Sequence, residues 1–168
     1  YGYMFGAHGT GDKPVIQATG GSGTLIRIAG VGTAHVAFVD LEFDCTADGY
    51  DPCTLIYQPG GGCNFLWLRV DVHDFHHAWN LAAAYESETS SAYLSGAFIV
   101  DCTSYTSVAT HLYTIAYRVA VLNNEFDYSG NHVAYTENII SGVIDGNTFS
   151  RPAYGRTAIR ISGSGGTK

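Results

Sequence analysis

The sequence predicts an all-β solenoid, and three observations carry that expectation. Short apolar runs of four to six residues recur, each beside a single Asp or Asn. Their spacing reduces to a unit of about 22 residues, enlarged in places by a loop, which is the mark of a repeat architecture. None of the runs sustains a 3.6-residue apolar period, so none reads as a helix.

The runs are 35–44, 65–75, 97–105, 118–126 and 141–149. Aligned, they place Asp40, Asp71, Asp101, Asn123 and Asp145 in one column, at spacings of 31, 30, 22 and 22. Val, Ile, Phe and Tyr are frequent in them, as strands prefer. A short polar residue between two strands suits a sharp bend, because Asn and Asp tolerate left-handed backbone angles and bond nearby main chain. The unit therefore reads as strand, polar bend, strand.

Taken in order, residues 1–23 form N-terminal strands and loop. Tyr1 to Phe5 is a strand laid over the first coil, 9–14 is a turn, and 15–19 resumes a strand. Lys13 sits in that Gly-rich turn and reads as a solvated structural Lys rather than a base. Coil one runs from Thr24 to about Tyr50, with strands at 25–28, 35–39 and 41–43. Alternation puts Leu41 and Phe43 inside and Glu42 outside. Coil two holds strands at 54–57, 65–70 and 72–75. Residues 80–95 are an insertion, with a short helical turn over 81–86. Coil three supplies 96–105, coil four begins near His111, and coil five runs from His132 to Phe149. Thr157 to Ile161 opens a sixth coil, and 162–168 is a Gly/Ser-rich tail. The whole of 1–168 reads as a single domain.

The repeated unit resembles the right-handed parallel β-helix of pectate-lyase-like and related secreted polysaccharide-active proteins. In that family each coil has three short strands, often with Asn or Asp at the bend between the second and third. The opening segment 5–16, Phe-Gly-Ala-His-Gly-Thr-Gly-Asp-Lys-Pro-Val-Ile, is similar to one found early in bacterial secreted β-helix proteins. The resemblance covers nearly the whole chain at the level of fold. It implies about five to six coils, an extracellular or cell-surface location and a polysaccharide partner.

Composition narrows the partners. Hydrophobic residues make up 46% and charged residues 14%, with 21 Gly, which suits a turn-rich all-β chain long enough for a core. Eight Lys and Arg against fifteen Asp and Glu leave a net charge of −7, so nucleic acid is not an expected partner. No apolar run reaches the length of a membrane-spanning helix. With no initiator Met and no signal-peptide pattern, the chain reads as processed or as a piece of a longer protein. Four Cys permit disulfides. Cys45–Cys53 would close an acidic loop and Cys63–Cys102 would join two coils, while Cys102 alone reads as a small inward hydrophobe.

Three groups of residues could carry chemistry. The densest cluster is His73, Asp74, His76 and His77, where a carboxylate beside an imidazole makes an acid/base pair, or the same groups could bind a transition metal, without a spaced metal signature. Their plainer reading is surface His in a loop. Asp44, Asp48 and Asp51 could offer oxygens to Ca²⁺, without the spacing of a dedicated calcium loop; a solvated acidic loop is the alternative. In the resembled family, sugar chains lie along the first-strand sheet. Here that sheet would gather Arg27, Tyr57, His111, Tyr113, His132, Tyr135 and Arg160. Tyr faces stack on sugar C–H surfaces, and Arg or His bonds hydroxyls and carboxylates. A one-residue register choice decides which member of each His/Tyr pair faces out.

Two classes of function remain. One is a polysaccharide lyase or glycoside hydrolase, the latter needing two carboxylates on one face, with Asp44, Asp51 and Asp74 available. The other is a non-catalytic carbohydrate-binding, adhesive or spike-like module. An incomplete last coil would leave strand edges for an adjoining domain or a second copy to cover.

Overall fold

A computed structural model describes residues 2–18, 23–27, 35–45, 53–57, 64–81, 94–137 and 139–162. The described residues contain no helix, and every strand pairing is parallel. The strands are β1 (Gly2–Gly6), β2 (Val15–Gln17), β3 (Gly23–Arg27), β4 (His35–Val39), β5 (Glu42–Asp44) and β6 (Cys53–Tyr57). Next come β7 (Asn64–Leu68), β8 (Asp71–His73), β9 (His77–Leu81), β10 (Leu94–Val100), β11 (Thr103–Ser107) and β12 (Thr110–Leu122). The last are β13 (Glu125–Ser129), β14 (Ala134–Glu137), β15 (Ser141–Asp145), β16 (Thr148–Pro152) and β17 (Ile159–Ser162).

They make two sheets, one of eleven strands and one of six. The larger consists of two ladders. The first ladder is β1-β4-β7-β10-β12-β15, and the third is β3-β6-β9-β12-β14-β17. The second ladder, β2-β5-β8-β11-β13-β16, is the six-stranded sheet. The chain thus visits first, second and third ladders in rotation, and each strand pairs with the one laid down a turn earlier. β12 belongs to two ladders because it runs unbroken for 13 residues.

Two rows of corners hold the ladders at an angle. Between the first and second ladders, Asp40, Arg69, Asp101, Asn123 and Gly146 stand one above another, with φ of 55°, 53°, 53°, 55° and 66°. This corrects the column read from sequence at two places. Asp71 lies in β8 opposite Glu42 and Thr103, and Asp145 is the last residue of β15. The true repeat is 29, 32, 22 and 23 residues. At Gly146 a Cβ would strike the Asn123 carboxamide, so glycine is required by contact as well as by angle. Toward the third ladder, Asp74 just past β8 and Thr106, Tyr128 and Arg151 near the ends of β11, β13 and β16 form a second left-handed row, φ 47–59°.

The next residue at the first row of corners points inward. Leu41, Val70 and Cys102 are buried there, and Asn124 follows them at 2% exposure. Asn124 Oδ1 accepts the Cys102 amide at 2.8 Å, and its Nδ2 donates to the Ile99 carbonyl at 2.9 Å. Asn147 repeats the device, accepting from the Asn124 amide at 2.9 Å and donating to the Val121 carbonyl at 2.7 Å. The Asn ladder is therefore internal and joins one turn to the next through main chain. Cys102 is a thiol whose sulfur donates to the Val100 carbonyl and accepts from the Val70 amide. The expected Cys63–Cys102 bridge is not formed at this sulfur. Cys63 and the Cys53 side chain lie outside the described residues, while Cys45 is buried.

An aromatic stack runs through the core as Phe38, Trp67, Trp79 and Phe126, and is continued by exposed Phe5 at one end and half-buried Phe149 at the other. Successive ring centroids are 4.2–6.3 Å apart. Strand alternation puts them there, and Leu41 and Phe43 are buried on either side of a half-exposed Glu42, as expected. The helical turn expected over 81–86 falls at 82–86 outside the described residues, and Leu81 itself ends β9.

Candidate functional site

The third ladder aligns five of the seven expected sugar-facing residues in one column, without His111 and His132. Arg27 lies opposite Tyr57, and Asn80, Tyr113, Tyr135 and Arg160 are successive partners. Leu112 and Thr114 on either side of Tyr113 are fully buried, so the alternation turns Tyr113 outward, and the same phase turns out Tyr135. The side chains of Arg27 and Tyr57 lie outside the described residues.

The rings make a continuous array. His76 and His77 are 4.5 Å apart, His77 and Tyr113 are 6.4 Å apart, and Tyr113 and Tyr135 are 5.3 Å apart. The Arg160 guanidinium lies over the Tyr135 ring at 4.8 Å. The sequence clusters at 76–77 and at 113, 135 and 160 thus come into contact, with His77 Nδ1 and the Tyr113 hydroxyl buried.

Every histidine of this region with a resolved shift is held toward its neutral form. Burial pushes His77 down to about 4, helped by repulsion from His76, while a hydrogen bond to the Thr110 backbone opposes it. Burial also lowers His76. His132 is only 7% exposed and is lowered by burial, then by the Arg160 charge. Its Nδ1 faces the Thr157 amide at 3.1 Å and hydroxyl at 2.8 Å, so it accepts, and the ring proton belongs on Nε2. Protonating Nδ1 would set it against the Thr157 amide, and the Arg160 guanidinium 3.4 Å from Nε2 adds charge repulsion to the effect of burial.

His111 is fully buried and serves the core. Its Nδ1 accepts from the Ser104 hydroxyl at 2.6 Å, and its Nε2–H donates to the Tyr128 carbonyl at 3.0 Å. Desolvation lowers its pKa to about 4. The unfolded ring titrates near 6.5, so the unfolded chain takes up the proton first as pH falls. His111 therefore supports the fold fully above about pH 6.5, and that support is lost progressively toward pH 4, on the order of 3 kcal/mol. Urea unfolding at pH 7.5, 5.5 and 4.5 is expected to show the loss, with a flatter profile in His111→Gln. Equal stability of the parent protein at all three pH values would overturn the assignment.

His73 and Asp74 stand elsewhere. His73 is on the second ladder, stacked on Tyr105 at 5.4 Å and 3.8 Å from Glu42. Asp74 occupies the corner after it. Its pKa is raised, first by burial and also by the Asp44 charge, with His73 and the Thr106 hydroxyl opposing. Asp44 lies opposite His73 in the register. Asp48 and Asp51 lie outside the described residues. Among the described residues no three His, Cys, Asp or Glu side chains form a group able to hold a metal.

Sequence reasoning passed over a polar cluster on the second ladder's outer face. Lys13 reaches Asp71 at 2.6 Å, and the Thr103 hydroxyl donates to the same carboxylate. Lys13 is thus paired across 58 residues, tying the N-terminal turn to β8. A Lys in a Gly-rich turn carries no sequence signal for so distant a partner.

Comparison with protein-family models, with curated proteins and with solved structures finds no match. No helix among the described residues is long and apolar enough to cross a membrane.

Proposed function

We propose that the three ladders wind as a right-handed parallel β-helix of about five to six coils. In this reading the third-ladder face binds a polysaccharide of the extracellular space or cell surface. The rotation of the chain through the ladders supports the winding, and parallel crossovers are overwhelmingly right-handed. The observation that carries the functional reading is the outward column Tyr113, Tyr135 and Arg160, continued by His77 and His76. Adjacent rings one strand spacing apart form a track on which successive sugar faces stack, with the Arg160 guanidinium at one end.

Binding fits this face better than lyase chemistry. A lyase needs a cation on the uronate carboxylate and a base near the C5 proton of the same sugar. His77 and Arg160 are three rungs apart, about 14 Å at a strand spacing of about 4.8 Å. They would act on different sugars. A hydrolytic reading has its own support at the neighbouring corner. Asp74 is pushed toward its protonated form partly by Asp44, the division of roles that an acid and its carboxylate partner require.

Affinity electrophoresis on neutral and acidic polysaccharides, with Ca²⁺ and with chelator, tests both readings. Tyr113→Ala and Tyr135→Ala are each expected to weaken retardation about 3- to 10-fold, the worth of one aromatic stack. Arg160→Ala is expected to act mainly on acidic glycans. Retardation unchanged in all three variants would remove the face from the reading. Release of reducing ends, abolished by Asp74→Asn, would establish the hydrolytic one.

A further inference from the structure

The outer face of the first ladder is apolar over its first five rungs and meets exposed Asp145 at the sixth. One outward column runs Met4, Ala37, Leu66, Phe98, Ala120 and Val143. The parallel column two residues on holds Val39, Leu68, Val100 and Leu122. Met4 is 77% exposed and Val143 48%, while Ala37, Leu66 and Phe98 are half-buried. Polar residues edge the face on both sides. Asp40, Arg69, Asp101 and Asn123 line one edge, with Arg69 bonded to both oxygens of Asp40. His35 and Asn64 line the other, joined at 2.8 Å. An apolar centre with a polar rim is the anatomy of a protein interface.

The order of side-chain sizes says what fits there. From rung one to rung five the column reads large, small, large, large, small. A two-fold axis parallel to the strands and beside Leu66 exchanges rung one with five and two with four. Phe98 of one copy then meets Ala37 of the other, Met4 meets Ala120, and Leu66 meets its own counterpart. Over Ala37 the surface is hollowed into a groove of about 410 Å³, lined by Met4, His35, Ala37, Asn64, Leu66 and Phe98 among others. The Phe98 ring leans over Gly96, so the same operation carries it toward the strip between His35 and Ala37. Five rungs at about 4.8 Å and five residues at about 3.3 Å give a footprint of about 400 Å² per copy, and side-chain relief brings the accessible area near about 600 Å², the lower end for a specific dimer.

We propose that this face docks a second copy of the chain, packed about that two-fold axis with Phe98 of each copy in the Ala37 groove of the other. The contact is isologous and closes at two copies. An interface at the low end of the size range belongs with weak, transient contacts, and the dimer is expected to dissociate in the micromolar range.

Sedimentation velocity across that concentration range tests it. Phe98→Ala removes the ring and Ala37→Phe fills the groove. Each is expected to weaken dimerisation about 10-fold or more, as truncation of a central anchor does. The double variant Ala37→Phe/Phe98→Ala exchanges ring and groove and is expected to recover most of the loss, with circular dichroism unchanged throughout. Recovery distinguishes lost complementarity from lost folding. A protein monomeric at every concentration would overturn the proposal. So would a dimer indifferent to both single substitutions, or a double variant no better than the singles. Association through the outermost strands, where Ile140 and Ile161 are exposed, would appear as growth beyond two copies insensitive to the exchange.

Discussion

Trp67→Ala is expected to destabilise the protein by about 3–5 kcal/mol, a large part of the roughly 5–15 kcal/mol available to a domain. Trp67 is fully buried. It stacks on Phe38 at 4.2 Å and meets Phe43 and Trp79 edge-on at 5.8 and 6.3 Å. Removing it opens a cavity between rungs, and flanking main chain held by ladders on both sides cannot collapse into it. The indole N–H has no partner among the described residues, so Trp67→Phe is expected to cost far less, within about 1.5 kcal/mol. Denaturant unfolding followed by circular dichroism reads both variants. Equal losses would show that the indole's width, rather than the ring stack, holds the site.

The second large effect is expected at Asn124. Asn124→Ala leaves the Cys102 amide and the Ile99 carbonyl without their side-chain partner in a buried place. Two abandoned main-chain groups at roughly 1–3 kcal/mol each predict a loss of about 2–5 kcal/mol. Asn124→Asp keeps an acceptor for the Cys102 amide but turns an acceptor toward the Ile99 carbonyl and toward Asn147 Oδ1, so it is expected to lose a comparable amount. Asn147→Ala, in a half-exposed copy of the same device, should cost less. Denaturant midpoints for the three variants check this order, and an Asn147→Ala loss equal to that of Asn124→Ala would refute it.

Much of the architecture was legible because alternation and spacing are local signals. Leu41, Glu42 and Phe43 follow the two-residue period, and the units of about 22 residues set the pace of the later rungs. The corner column was legible at Asp40, Asp101 and Asn123, residue types with a chemical reason to turn left-handed. It was illegible at Arg69, which takes the same angle with no such preference, because the surrounding ladders impose it. Asp71 was the decoy two residues on. The length of β12 was not legible, since nothing in 110–122 marks where a strand of one ladder would pass into the next.

The candidate face was legible in outline. Tyr113, Tyr135 and Arg160 were singled out together and share one column. His111 and His132 were counted with them, and both are buried. Sequence phase alone could not separate them from the tyrosines two or three residues on. His73 and Asp74 were grouped with His76 and His77 because they are close in sequence. A corner at Asp74 sends the two halves of that cluster along different ladders.

The corner between the first and second ladders has the same length at five successive rungs. Two residues separate β4 from β5, β7 from β8, β10 from β11, β12 from β13 and β15 from β16. One residue turns the chain and the other plugs the interior, so an extra residue there would present the wrong side of the following strand to the core. From the third ladder back to the first, the connections are 28–34, 58–63, 82–93, none within β12, and 138–140. The fold thus accepts inserted sequence along one edge and rejects it along another. Foreign peptides grafted at the 82–93 connection should be carried at no cost to the ladders, while the same graft at Asn123–Asn124 should abolish them.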